Sequence, residues 1–354
     1  MLLKDLYSSK AVALVDRTNA SNRIPYLGQG LFVPDKKMGL DLKWLKTSSG
    51  LPISLAPSSF DTVSTIRSRE GFVENDTEMA YFKESMLVKE RDEQEIMRVE
   101  SADDPYAKEV VARVFDDANT LVEGARVVAE RMAMSLLTPS NGHPGISIAF
   151  GGATYNYNYD PDGSYATNNF ASLSGTSVWS DTTNSDPIAD VQTGIQAIED
   201  LTGSTPAYMI VSRLTMNYLL QNAKVRDYVL AQNSTANIVM TDEKVKEVFR
   251  SLFGIEIIVY SKKYRDENGT VQKFFADGFA TLIPEGNLGK MWRGVTPEER
   301  TGIQNPSADV EVLEDGIAIS VTISEDPVQT KTTVSEIVLP SFERMDECYT
   351  IKAY

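Results

Sequence analysis

Between Pro105 and Leu137 the chain carries apolar side chains at three- and four-residue steps: Val111, Val114, Phe115, Ala118, Leu121, Val122, Ala125, Val128, Ala129, Met132 and Leu136. That spacing gathers them on one face of a helix. At 1.5 Å per residue the helix would run about 50 Å, more than a compact domain of ordinary size needs, so it reads as a spine. Asp104 is placed to accept the free N–H groups of the first turn, and Pro105 loses no bond at the first helical position. Pro139 and the Asn141-Gly142 turn pair predict the stop. Gly124, in mid-helix, predicts a close approach or a bend. A periodic run over 25 residues also admits a coiled-coil reading, against which the spacing keeps to 3.6 rather than to heptads.

Upstream, residues 1 to 30 hold a short helical pattern and then the loop-rich Asn19 to Gly30, an arm expected to be held down by neighbours. From Met38 to Val99 the period changes to two. Leu40, Leu42 and Trp44 alternate with Asp41 and Lys43, and Tyr81, Lys83, Ser85 and Leu87 form a second, broken run. Turn chemistry at Ser48-Ser49-Gly50-Leu51-Pro52 separates them, and Leu55 to Asp76 is too polar for a core of its own. A long two-stranded excursion with so little apolar support is marginal alone, so it is expected to lie on another subunit.

Downstream, Ile146 to Phe150 and Tyr155 to Tyr159 alternate as strands, with Gly151-Gly152 and Asp160 to Gly163 as turns and a polar loop from Thr167 to Ser185. Asp186 and Pro187 then open a helix whose Ile188, Val191, Ile195 and Ile198 share a face up to Gly203. A strand at Tyr208 to Val211, helices at Thr215 to Leu230 and Asp242 to Phe253, and a strand at Ile255 to Tyr260 follow. Phe274 to Ile283 reads as a strand pair, and Val310 to Leu313, Ile317 to Ile323 and Ser335 to Leu339 as three final strands. The class is α+β, with an α/β subdomain in the second half.

Acidic side chains outnumber basic ones, 50 to 34, for a net charge of −16, and no run of Lys and Arg stands out. An extended groove that neutralises phosphates is therefore not expected. The only cysteine, Cys348, has no partner for an internal disulfide and reads as a small semi-buried side chain in a C-terminal strand. Lys4, Asp5 and Lys10 interrupt the N-terminal apolar residues, so no signal peptide is expected, and no apolar run reaches the ~20 residues that span a bilayer. The chain is expected to be soluble and intracellular where it is made, with no large cleaved propeptide.

The candidate chemistry is thin. His143 is the only histidine and lies in a turn, Asn141-Gly142-His143-Pro144, so neither a nucleophilic triad nor a metal cluster built on several histidines has support. Asn158, Asp160 and Asp162 before Gly163 imitate the first half of a calcium loop, but Asn169 holds the place of the bidentate glutamate, and a hairpin turn is expected instead. Adjacent acids such as Asp116 and Asp117, or Glu298 and Glu299, point about 100° apart on a helix and read as solvated faces. No catalytic residue, cofactor or metal is nominated, and a carboxylate hydrolase stands only as a rival from another class.

An ordered series of segments changes the picture. It comprises AERMAMSLL at Ala129 to Leu137, WSD at Trp179 to Asp181, DPIADV at Asp186 to Val191, LTGSTP ending at Pro206 and NAKVRDYV at Asn222 to Val229. It continues with YSKKYRDENG at Tyr260 to Gly269, FFADGFATLIPEGNLG at Phe274 to Gly289, VTPEE at Val295 to Glu299 and EDPVQTKTTVSEIVLP at Glu325 to Pro340. Together these resemble the tailed-phage major capsid proteins of the lambda E type, most specifically between Trp179 and Pro340; the N-terminal portion agrees in character more than in letters.

The resemblance implies a Hong Kong 97-like phage capsid fold. Its parts would be an N-terminal arm over 1–37, an extended β-hairpin loop over 38–90, and a peripheral domain over 91–185 with its spine helix at 105–137. An α/β axial domain over 186–300 and the return strands of the peripheral domain over 301–354 would complete it. It implies the major capsid (head) protein of a tailed double-stranded DNA bacteriophage, assembled in the bacterial host cytoplasm and located in the virion. Hexamers and pentamers of the chain would close an icosahedral shell around the genome. A nanocompartment shell of the same fold, enclosing protein cargo, is the alternative. The implied partners are further copies of itself, with scaffolding, portal and decoration proteins; DNA is enclosed without sequence-specific binding, and no membrane is involved. Gly50, Leu51, Pro52 and Ile53 near the loop tip would reach over a neighbour, while Gln232, Asn233, Asn237 and Asp242 would serve contacts around a symmetry axis. Some members of the fold cross-link a lysine to an asparagine; Lys43, Lys46 and Lys83 match no such motif, so non-covalent assembly is expected. Lys108, Arg113 and Arg126 read as a solvated polar face of the spine helix, with a place on the inner surface of the shell as the alternative.

Overall fold

A computed structural model describes residues 8–18, 25–45, 74–90, 105–150, 153–232, 239–305, 308–313, 316–325 and 328–354. In chain order the elements are α1 (Ser9–Thr18), α2 (Gly28–Leu31), β1 (Phe32–Lys37), β2 (Asp41–Leu45), β3 (Glu74–Glu78), β4 (Ala80–Lys89), α3 (Pro105–Leu137), β5 (Gly145–Phe150) and β6 (Ala153–Asn158). There follow α4 (Ser164–Asn168), β7 (Phe170–Ser172), α5 (Pro187–Thr202), β8 (Tyr208–Val211), α6 (Arg213–Gln221), α7 (Ala223–Gln232), α8 (Asp242–Phe253), β9 (Glu256–Val259), β10 (Lys263–Arg265), β11 (Val271–Lys273) and β12 (Phe279–Ile283). The chain closes with β13 (Gly289–Gly294), α9 (Pro297–Gln304), β14 (Asp309–Val312), β15 (Ala318–Glu325), β16 (Val328–Pro340) and β17 (Tyr349–Lys352). Two compact units divide it: the described residues of Met1–Leu42, Asp76–Met132 and Lys290–Ser341 form the first, and those of Lys43–Asn75, Ala133–Gly289 and Phe342–Tyr354 the second.

The first unit is built on β16, a 13-residue strand rich in Thr and Val, residue types that suit a pleated surface. It pairs with β15 over Val328–Ser335, with β4 over Gln329–Val338 and with β13 over Val338–Pro340. Every second side chain of the sheet points the same way, and Ile319 and Val334, opposite one another, meet the stripe of Leu121, Val122 and Ala125 on α3. Val12 and Ala13 of α1 complete this cluster. The N-terminal segment is thus anchored on its own chain: the Ser9 N–H and hydroxyl donate to the Asp309 carboxylate on β14, the hydroxyl at 2.6 Å.

Arg126, read from the sequence as part of a solvated face, is instead buried, at 3% exposure. Its two terminal nitrogens donate to the two oxygens of Asp16, each at 2.9 Å, and one also to Glu123 at 2.8 Å. The side chains of Lys108 and Arg113 lie outside the described residues. Gly124 marks no close approach: among the described residues nothing lies within 4 Å of where its Cβ would be.

The second unit has a five-stranded sheet in the order β7-β17-β12-β8-β9. β12, buried at all five positions, runs antiparallel to β17 and β8, while β8 pairs in parallel with β9 through the crossover that contains α6, α7 and α8. Trp179, Val191, Ile198, Phe249 and Leu282 are among the side chains of its core. α5 starts and stops where its sequence signals say. Asp186 accepts the Ala189 N–H, Pro187 follows, and Gly203 ends it at φ +71°, a conformation open to glycine without a steric penalty.

Four expectations are revised. The helix expected over Thr215–Leu230 is two, because Asn222 breaks it: its backbone is extended, its side-chain oxygen caps α7 by accepting the Val225 N–H, and its amide donates to Ser185. The strand pair expected over Phe274–Ile283 is the single strand β12, with Phe274 and Phe275 buried in the link before it. The polar stretch Thr167–Ser185 contains β7, which pairs in parallel with β17, and the fully buried Trp179, whose indole N–H donates to Asp190 at 2.8 Å. The final strands divide, β14 to β16 into the first unit and β17 into the second.

Two stability changes follow. Asp16→Ala, which takes the bidentate carboxylate away from a buried guanidinium, should cost about 3 kcal/mol, whereas Asp16→Leu with Arg126→Met should cost less, since that pair of charges is no longer buried. Gly124→Ala should add about 0.5–1 kcal/mol, because alanine suits a helix interior and its methyl group meets nothing among the described residues. Urea unfolding of the unassembled chain checks both.

Candidate assembly surfaces

At one end of the second unit, β8 runs into Ser212, whose hydroxyl caps α6 by accepting the Thr215 N–H. The first turn of α6 then meets that of α8: Arg213 donates to Asp242 at 2.5 Å, with both side chains partly exposed. Asp242 therefore ties two helices of its own chain together. Gln232 ends α7, and its side chain lies outside the described residues, as do Asn233 and Asn237. Gly50, Leu51, Pro52 and Ile53 also lie outside them. The structure thus brings Asp242 to the α6–α8 junction and Gln232 to the end of α7, and the other nominated residues lie outside the described ones.

A second surface is the β10–β11 ribbon. Asp266 accepts the N–H groups of Asn268 and Thr270 and so folds the turn. In the ribbon Lys263 stands opposite Lys273, Tyr264 opposite Gln272, and Arg265 opposite Val271. Tyr264 packs against Phe274 at 4.8 Å between ring centroids. Lys263, Arg265, Val271 and Lys273 therefore share the other face, and all four are exposed. A third surface is the last turn of α5, where Glu199, Asp200 and Leu201 are exposed and no basic residue accompanies them. Neither group was nominated from the sequence. Cross-strand register would have shown the first and exposure the second.

In the first unit, α9 carries Glu298 and Glu299, expected as solvated acids. Both are held. Glu298 accepts from Lys83 at 2.5 Å, from Ser335 at 2.8 Å and from the Tyr81 hydroxyl, and Glu299 from Lys36 at 2.5 Å. The segment VTPEE is the start of this helix: Thr296 caps it by accepting the Glu299 N–H, with Pro297 following. Burial acts to raise the Glu298 pKa, but the bonds from Lys83 and Ser335 override it and hold the carboxyl below the ordinary glutamate range.

The residues that imitate catalytic or metal sites have structural partners. His143 Nδ1 meets Asp160 at 2.9 Å, and the buried Asp160 carboxylate also accepts the N–H groups of Tyr165 and Ala166, so it caps α4. The turn at Asp160–Gly163 thus leads into a short helix and does not join a hairpin. Asn169, in the would-be glutamate position, donates to the backbone oxygens of Asp346 and Cys348. Cys348 is fully buried just before β17, and burial pushes its thiol well up, away from the reactive thiolate. Among the described residues no three of His, Cys, Asp and Glu converge as a metal site, and no helix is long and apolar enough to cross a membrane.

A family model described as phage major capsid protein E matches residues 11–353. The chain belongs to this family. Among solved structures, this capsid protein is similar to a protein described as a prophage capsid protein of E. coli CFT073, at 16% identity and a TM-score of 0.59, with 98% of each chain covered. It is also similar to a phage-related protein of Bordetella bronchiseptica RB50, at 16% identity and a TM-score of 0.57, with 96% of each chain covered. No match is found among curated protein sequences. The capsid protein shares its mixed helix and strand fold with these two structures, and its family is structural: a component of the tailed-phage virion.

Because the Glu298 pKa is depressed on folding, the stability this carboxylate contributes is present above the ordinary glutamate range and is lost as pH falls through the folded value. Glu298→Gln should therefore narrow the stability difference between neutral pH and about pH 3. Denaturant midpoints of the unassembled subunit at the two pH values measure it; an unchanged difference would exclude the mechanism.

Proposed function

We propose that this capsid protein assembles, without covalent cross-links, into hexamers and pentamers that close an icosahedral shell around double-stranded DNA. The family match over residues 11–353 carries the reading and favours a phage shell over a compartment for protein cargo. Rings of identical chains need head-to-tail contacts between two different patches, repeated around an axis. Each contact can be weak, because the multiplicity of the shell supplies the stability. A net charge of −16 suits a container that does not grip the DNA it holds.

In this reading, residues 1–37 form the arm, 38–90 the extended loop, 91–185 the peripheral domain and 186–300 the axial domain, and of residues 301–354 the strands β14 to β16 are the return strands while β17 belongs to the second unit. Gly50 to Ile53 reach over a neighbour, and the segment from Gln232 through Asn233 and Asn237 to Asp242 lies near the ring axis. Scaffolding, portal and decoration proteins are the further partners, and assembly takes place in the host cytoplasm.

Negative-stain electron microscopy with light scattering tests the reading. Recombinant protein should give shells, tubes or isolated rings across a range of salt and concentration, and intact mass under denaturing conditions should show single chains only. Replacing residues 48–54 with a short Gly-Ser link should leave a folded subunit that does not assemble. Normal shells from that variant would overturn the role of the loop, and a monomer or dimer under every condition would overturn the reading itself.

A further inference from the structure

The outward face of the β10–β11 ribbon is costly to an isolated chain. Its strands are three residues long, and a two-stranded ribbon is marginal alone. Lys263 and Lys273 stand directly opposite, a like-charge pairing that destabilises a sheet. Asp277 pairs with Lys273, but among the described residues no ion pair engages Lys263 or Arg265. Between these cations Val271 is 54% exposed. An apolar centre with a charged rim is the layout of a protein interface. Phosphate would make no use of the valine, and Asp266 and Glu267 at the turn would repel it.

A complementary surface must be acidic around an apolar centre, and with a net charge of −16 a second copy of the chain is rich in acids. The last turn of α5 has that form. Glu199 and Asp200 adjoin Leu201, which is 36% exposed. The two carboxylates sit at the negative end of the helix dipole with no basic residue in that turn, so they too are unfavourably placed in the isolated chain.

We propose that the ribbon face of one subunit docks on the Glu199–Leu201 turn of the next copy in the ring, so that two different patches of one chain make a head-to-tail contact. The inference rests on the assembly reading above and names a contact for it. Contact relieves both electrostatic costs at once and covers Val271 with Leu201.

The test uses the full chain with Lys263→Glu and Arg265→Glu, and a fourfold variant that adds Glu199→Lys and Asp200→Lys. Light scattering and electron microscopy follow assembly, and circular dichroism and thermal melting follow the fold. The double variant should melt as the wild type does but need about tenfold more subunit, or higher still, to form shells, because repetition amplifies each weakened contact. The fourfold variant should recover most of that loss. If the double-glutamate variant fails to fold, Lys263→Gln with Arg265→Gln carries the same test.

Shells from the double variant at the wild-type concentration overturn the docking while leaving the assembly reading intact. A folded fourfold variant that does not recover overturns the pairing with α5. A double variant that assembles normally but retains less DNA assigns the ribbon to phosphate and also overturns the pairing. Wild-type protein that forms no shell, tube or ring overturns the assembly reading, and the docking with it.

Discussion

A guanidinium taken out of water must be met by carboxylate, and that requirement at Arg126 organises the first unit. Leaving such a charge buried and unpaired costs several kcal/mol. Arg126 therefore holds Asp16, and Asp16 brings α1 with it. With α1 docked, Val12 and Ala13 close the apolar cluster over α3 and β15, and Ser9 and Arg17 reach Asp309 and Glu311 on β14. An ion pair of this kind adds little net stability compared with apolar groups of the same shape. Here the pair joins α1 to α3.

The same economy runs through the rest of the acidic chain. Arg293 meets Glu336 within the sheet of the first unit, and α9 is tied down by Lys36, Lys83 and Ser335 on its paired acids. Cations are thus spent on internal latches, and much of the acidic excess is left on the surface. For a protein whose work is to meet many copies of itself, that excess sets a background repulsion, against which exposed cations help to decide which faces meet.

Elements whose signals are local were legible in the sequence. α3 occupies Pro105–Leu137 because its stripe and its proline act within a turn or two, and α5 is framed by Asp186-Pro187 and Gly203 for the same reason. The misreadings have non-local causes. Asn222 reads as helix-compatible until Ser185 engages its amide. β7 is too short and polar to show a period, and exists because β17 lies beside it. Arg126 and Glu298 look like surface charges until segments from far along the chain supply Asp16 and Lys83. Surfaces that serve other copies are harder still, since their partners do not occur in one chain; the ribbon showed itself through an unfavourable pairing, not through a motif.

β16 is central to the sheet of the first unit, and β17 lies inside that of the second, between β7 and β12. Both come from the last stretch of the chain, and the partner of Ser9 lies 300 residues downstream of it. At roughly 5–20 residues per second, a ribosome needs on the order of 15–60 s to cover that span. During that interval neither sheet can be completed and α1 has no β14 on which to settle. An unfinished polypeptide cannot present the finished surfaces of a subunit to complete neighbours made beside it. The order of strands along the chain thus holds back the completion of both sheets until residues beyond Val328 have been made.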